Sequence, residues 1–326
     1  MKNFLLILLL VPCVLSCNQH QSTKDTTSAT PVIGFVDAFE DNTLAQAKTG
    51  FMDALQKNGF DEKSGTVKII YRNAQGNIPT LTQIIKYFIS QKVTLIASCP
   101  SLSTITALQN TKDIPVCMMV SPTPTLMKMN DANGNPPANL FGVGENLDYI
   151  DTSFLLMPKI IKPAGAKLTV GMVFNQSEPQ SVDAMNRIEH LAEANNITLV
   201  ALPVNSSADV QLVTASLLSK HLDAFFANPD NTVFASFETI VKNCDKNKVP
   251  IFTSEAGLVD RGAVAAYGAD IYQWGYQAGV QAAQYLQSKD STKLQWQMVQ
   301  VRKRVYNPEM AKKYNLTIPS SFQAVH

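Results

Sequence analysis

What the chain has little of narrows its chemistry first. It holds four histidines. His20 lies in a polar N-terminal segment, His326 ends the chain, and His190 and His221 fall on or beside expected helices. No His, Cys and Asp recur at metal-site spacing, and no GxSxG elbow, phosphate loop or GxGxxG turn occurs. Catalysis is therefore left without a nucleophile–base pair, and neither a metal nor a cofactor is expected. Neither sign of charge dominates, with 27 Lys and Arg against 26 Asp and Glu. Without a basic block or stripe, nucleic acid is not the expected partner. After residue 30 nothing approaches the ~20 consecutive apolar residues that span a bilayer. Cysteine is scarce as well. Beyond Cys13 and Cys17 there are only Cys99, Cys117 and Cys244, an odd number that suits buried thiols better than a disulfide framework.

The N-terminus is built differently. Lys2 precedes a short apolar run from Phe4 to Leu15, the build of a secretory signal. Its end, Val14-Leu15-Ser16-Cys17, resembles a bacterial lipobox, in which the cysteine is lipidated and becomes the new N-terminus. Residues 18–30 are polar, as a flexible tether should be. Sequons at Asn175, Asn196, Asn205 and Asn315 carry no weight beside a bacterial lipobox.

Past the tether, strand and helix patterns alternate. Strands are expected at 31–37, 66–72, 93–98 and 114–120, with helices from Thr43, Pro79 and Pro100 between and after them. A Pro- and Asn-rich passage at 121–140 interrupts, and the alternation restarts. It predicts helices near 150–161, 179–195, 208–220 and 232–244, and strands at 168–174, 197–204, 222–227 and 249–254. Asp270–Gln287 reads as a further helix, and QWQMVQV at 295–301 as a further strand. The fold class is α/β: two Rossmann-like lobes with parallel sheets, crossovers between them and a ligand cleft at their junction. Residues 31–147 with about 268–291 form the expected first lobe, and 148–267 with about 292–326 the second.

In open parallel sheets, ligands bind beyond the carboxyl ends of strands. That rule selects 37–41, 98–103 and 120–124 in the first lobe, and 174–181, 227–232 and 253–257 in the second. Ser98 is a plausible cap for a helix opened by Pro100, whose free N–H groups near Ser101 suit a carboxylate. Asp37 beside Phe39 could pair with an ammonium and cover an apolar side chain. In ANPDNT the following helix needs one cap, yet Asn228, Asp230 and Asn231 offer three. Capping alone would explain one of them, and the surplus points to a ligand. Glu255 adds an acid, and Tyr267 with Asp270 could line the lobe junction.

Several segments also resemble a known family. IPV at 114–116, the NAQG turn within 71–97, the stretch 227–255 and above all VYNPEMAKKYNLTIPSS at 305–321 are similar to ABC transporter substrate-binding lipoproteins of the TrpX type. The resemblance covers about residues 31–321. It implies a type I periplasmic-binding-protein fold with three crossovers, and closure on an aromatic amino acid (tryptophan, tyrosine or phenylalanine) for delivery to an ABC permease. It carries cleft-facing roles onto Asp37, Ser98–Ser101, Asn175 and Asp230–Asn231. Where the family has Thr-Asp-Pro after the IPV strand, this chain reads Pro122-Thr123-Pro124, which leaves Thr123 as a candidate contact without the acid. The expected protein is a monomer, lipid-anchored at Cys17 on the extracytoplasmic face, that touches the membrane only through its anchor. A ligand-sensing module, or a nucleoside or sugar as ligand, is the alternative.

Overall fold

The computed structural model describes residues 29–290, 292 and 295–325. Cys17 and the expected signal and tether through residue 28 lie outside them. In chain order the first lobe runs β1 (Val32–Asp37), α1 (Asn42–Lys57), β2 (Lys68–Asn73), α2 (Ile78–Ser90), β3 (Leu95–Cys99), α3 (Ser101–Asn110), β4 (Val116–Pro122) and β5 (Leu140–Glu145). The second runs α4 (Tyr149–Phe154), α5 (Met157–Ile160), β6 (Thr169–Asn175), α6 (Pro179–Ala194), β7 (Thr198–Val204), α7 (Ser207–Leu218), β8 (Ala224–Ala227), α8 (Asn231–Ala235), α9 (Phe237–Lys246), β9 (Ile251–Thr253) and β10 (Ala265–Ala269). The remainder is α10 (Ile271–Ser288), β11 (Trp296–Met298), β12 (Arg302–Tyr306), α11 (Pro308–Lys313) and β13 (Gln323–Ala324).

Apolar runs such as VIGFV and LIASC are buried on both faces because helices cover both sides of each sheet. One sheet has the order β11-β5-β4-β3-β1-β2, with all pairs parallel. The other has the order β13-β12-β10-β9-β8-β6-β7, antiparallel only where β10 meets β12. The chain passes between sheets three times: after β5, after β10 and after β11. This is the two-lobed α/β architecture expected.

Four local expectations need correction. β5 was hidden at the end of the Pro- and Asn-rich passage, because LFGVGE carries two glycines where a strand pattern favours branched side chains. Gly142 is required there: a Cβ on it would lie 2.3 Å from the Met118 carbonyl oxygen. The segment 292–326, expected in the second lobe, is divided, since β11 pairs with β5 in the first sheet. The helix expected at 232–244 breaks at Ser236, and Arg261 Nη2 donates to the Phe234 carbonyl at that break. The helix expected near 150–161 is likewise split into α4 and α5.

The return of α10 to the first lobe is fixed by small residues. Gly275 sits so close to α1 that a Cβ on it would lie 1.9 Å from the Ala47 carbonyl oxygen. Beside it Trp274, Ala278 and Ala282 join Phe51 and Leu55 in one core.

Candidate ligand-binding site

A cavity lies between the lobes at the carboxyl ends of the strands, where the sheet rule places it. Leu44, Val120, Leu147, Phe234 and Trp274 give it apolar walls. Ser101, Gln180 and Asn231 supply neutral polar groups, and Glu145, Asp230 and Glu255 supply carboxylates. Val120 reaches the wall through an irregularity in β4, whose register shifts between Met118 and Ser121. Its φ of 48° is strained for a β-branched residue, at about 1–2 kcal/mol. Strain of that kind concentrates at functional sites, because packing elsewhere must hold it.

The three acids differ in what already satisfies them. Glu145 is held by Arg302 Nη2 at 2.6 Å and Nε at 3.1 Å, and it accepts from the Asn146 N–H. Asp230 caps α8 by accepting from the Val233 N–H at 2.6 Å, while its other oxygen accepts from the Asn175 N–H and the Ser181 hydroxyl. Glu255 accepts from the Tyr149 hydroxyl at 2.8 Å and from no other group among the described residues. No cation faces it. Burial pushes its carboxyl up to about 8, with Glu145 adding to the shift and the Tyr149 hydroxyl opposing it. Burial raises Asp230 and Glu145 as well, against their hydrogen bonds and, for Glu145, Arg302.

The surplus polarity of NPDNT resolves into separate tasks. Asp230 is the cap, and Asn228 lies inside the lobe, where its amide donates to the Ser181 hydroxyl and carbonyl. Asn231 reaches across the cleft, and its amide donates to Ser101 Oγ at 3.0 Å. Ser101 begins α3, which has no side-chain cap. Ser103 and Thr104 N–H groups turn back to the Pro100 carbonyl, leaving those of Ser101 and Leu102 without partners among the described residues. Pro100 thus stands one position earlier than expected, at the cap, and Ser98 does not cap the helix. Ser98 is interior to β3, with its hydroxyl 2.9 Å from Thr104 Oγ1 and donating to the Cys117 carbonyl.

Four of the ten expected contacts line this cavity: Ser101, Asp230, Asn231 and Glu255. Phe39 and Asn175 line a separate, wider groove with Gly76, Leu102 and Ser207. Asp37 lines neither. It is buried beside Tyr71 and Cys99, Oδ1 has no partner among the described residues, and burial lifts its carboxyl to about 6. Thr123 is spent on a local turn, accepting from the Leu126 N–H. Tyr267 stacks under Arg304, and Asp270 caps α10 and pairs with Lys303. Sequence reasoning passed over Gln180, Glu178, Tyr149 and Trp274. Gln180 and Glu178 lie inside the flagged loop 174–181. Trp274 carried no signal, because it looks like any apolar residue on a helix stripe. Cys99, Cys117 and Cys244 are buried free thiols, as expected.

Residues 32–325 match the family model described as ABC transporter substrate binding protein. The chain belongs to that family. This substrate-binding protein is therefore not an enzyme: it serves an ABC permease with a small-molecule ligand, outside the cytoplasm. Among the described residues no helix is long and apolar enough to cross a membrane. A relative, the tyrosine-binding protein of Clostridioides difficile (strain R20291), is 30% identical over 270 residues, 83% of this chain and 76% of its own. The type I periplasmic-binding-protein fold recurs in solved structures. A complex with L-Trp from Streptococcus pneumoniae aligns with a TM-score of 0.80 at 22% identity, over 90% of this chain and 97% of that one. A ligand-free, open substrate-binding protein with adhesive properties from Clostridium difficile aligns at 0.66 and 26% identity, over 90% and 99%.

Proposed function

We propose that this protein, anchored by a lipid at Cys17, captures an aromatic or other apolar α-amino acid for an ABC importer, as a monomer. The observation that carries the reading is Glu255, a buried carboxylate on the cavity wall with no paired cation among the described residues. An α-ammonium supplies that cation. The carboxylate of the same ligand meets the unpartnered N–H groups of Ser101 and Leu102, where the α3 dipole favours negative charge. Its side chain packs against Trp274, Phe234 and Val120, a role first expected of Phe39. The tyrosine-binding relative and the L-Trp complex support the aromatic class. The closer superposition on the L-Trp complex than on the open, ligand-free protein supports an arrangement of lobes near the ligand-bound one.

A thermal-shift screen of amino acids, nucleosides and small sugars tests the ligand class. Saturation at 100 Kd adds about 2.7 kcal/mol to stability. An aromatic amino acid should raise the melting temperature; a shift by a sugar or nucleoside alone would sink the amino-acid reading. Cys17→Ala tests the anchor, and a variant that still partitions with membranes refutes it.

A further inference from the structure

Two side-chain amides from the second lobe converge on one hydroxyl of the first. Asn231 Nδ2 lies 3.0 Å from Ser101 Oγ, and Gln180 Nε2 lies 3.4 Å from it. Both amides are also bound to a single carboxylate oxygen. Glu178 Oε2 accepts from Gln180 Nε2 at 2.7 Å and from Asn231 Nδ2 at 2.7 Å, and also from the Asn231 backbone N–H. Its other oxygen accepts from Asn175 Nδ2 and from the Thr232 hydroxyl. Five donors on two oxygens hold Glu178 as an acceptor, against burial and the nearby Asp230, which push its carboxyl up to about 7. A flipped Gln180 would set its carbonyl oxygen against that carboxylate at 2.7 Å, which is repulsive. The orientation of Gln180 is therefore set from behind.

That orientation has a consequence on the cavity side. Gln180 is 6% exposed and lines the cavity, yet its Oε1 has no hydrogen-bond partner among the described residues. A buried acceptor left unpaired is unfavourable, so it awaits a donor. The same amide group lies beside Ser101 at the start of α3, with Nε2 3.4 Å from Ser101 Oγ, where the preceding reading seats the ligand carboxylate. In an α-amino acid the ammonium is attached one carbon away from that carboxylate.

We propose that Gln180 is a ligand-binding residue whose side-chain carbonyl accepts from the α-ammonium, and that Glu178 is the positioning residue that aims it. The assignment rests on the amino-acid reading and adds a second ammonium contact to Glu255. It also makes the Glu178 carboxylate the common support of ligand recognition and of the Asn231–Ser101 bridge between lobes.

The test compares each aromatic amino acid with its deaminated propionate, for tyrosine 3-(4-hydroxyphenyl)propionate, which keeps ring and carboxylate but lacks the ammonium. Binding of both is measured by titration calorimetry on the wild type, on Gln180→Met, which keeps length without an acceptor, and on Glu178→Gln, which lets the amide turn. Loss of a hydrogen bond to a charged group should weaken the amino acid about 10- to 100-fold. The propionate should weaken far less, so the preference for the amino acid collapses in Gln180→Met and falls partly in Glu178→Gln. A Gln180→Met protein that keeps the wild-type preference overturns the Gln180 assignment while the amino-acid reading stands. If Glu178→Gln weakens both probes equally, Glu178 is structural and not a positioning residue. Wild-type protein that binds none of L-tyrosine, L-tryptophan and L-phenylalanine overturns the amino-acid reading together with the assignment.

Discussion

Glu255 gives affinity and stability opposite responses to pH, and the two can be measured on one protein. Its carboxyl is raised from 4.5 to about 8 by burial. In the ligand-free protein the folded state therefore holds a proton that the unfolded state releases above about pH 4.5. Stability from this group is present below that value and is lost as pH rises toward 8, by up to about 5 kcal/mol at 1.36 kcal/mol per unit. An ammonium ligand needs the ionised form, so its affinity runs the other way. The ionised fraction is about 1% at pH 6 and half at pH 8, which implies roughly 50-fold tighter binding at pH 8. Calorimetry with L-tyrosine at pH 6 and 8, in buffers of different ionisation enthalpy, reads both the affinity and the protons released. Close to one proton should leave per ligand at pH 6. In Glu255→Gln affinity should be weaker and this dependence should flatten, while the ligand-free protein should lose less stability between pH 5 and 8. Wild-type affinity that is constant or falls from pH 6 to 8, with no proton released, would refute the assignment of the ammonium to Glu255.

Substitutions at three further sites separate packing, lobe contact and capping. Gly275→Ala places a Cβ 1.9 Å from the Ala47 carbonyl oxygen. The helix-propensity gain of about 1 kcal/mol is outweighed by a backbone displacement costing about 1–3 kcal/mol or more, so urea unfolding should show a net loss; unchanged or increased stability would disprove that close approach. Asp41→Asn retains an N-cap for α1 but removes the charge that meets Arg261 Nη1 at 2.6 Å across the lobes. Ligand affinity should fall about tenfold with little change in melting temperature, and wild-type affinity would show that the pair does not hold the lobes together. Asp230→Ala strips the α8 cap, takes away the acceptor of the Ser181 hydroxyl and leaves the Asn175 N–H only its bond to Ser181 Oγ at 3.1 Å, which should cost about 1–3 kcal/mol in denaturant unfolding. Unchanged stability would deny that Asp230 holds this corner, and Asp230→Asn with wild-type affinity would restrict it to capping.

Periodicity was enough to find the lobes, because buried parallel strands and amphipathic helices alternate with little ambiguity from Val32 to Thr253. It failed where backbone proximity overrides pattern. Gly142 and Gly144 weaken a strand signal in β5, yet Gly142 is needed there because Met118 lies against it. The strand-end rule selects loops that border the cavity, but only some of the residues it picks out line it. Asp37 ends β1 and Ser98 lies inside β3, and the side chains of both are taken into the lobe interior. The residues one turn later, Ser101 and Asn231, reach the cavity. Sequence cannot distinguish these positions, since Ser and Asn suit a cap, a turn or a contact equally well.

NPDNT shows the same limit in one loop. Three residues compete for one cap in the sequence, and only side-chain direction decides among them. Asp230 takes the cap because its carboxylate can serve the Val233 N–H with one oxygen and β6 with the other. Asn228 turns inward to Ser181, and Asn231, tied to Glu178, is free to span the cleft. Asp230 is thus already satisfied by its own lobe. An acid whose hydrogen-bonding capacity is filled by its own lobe has little left for an ammonium. The ammonium is therefore better met by Glu255, which among the described residues has one hydrogen-bond partner, too few for a buried carboxylate.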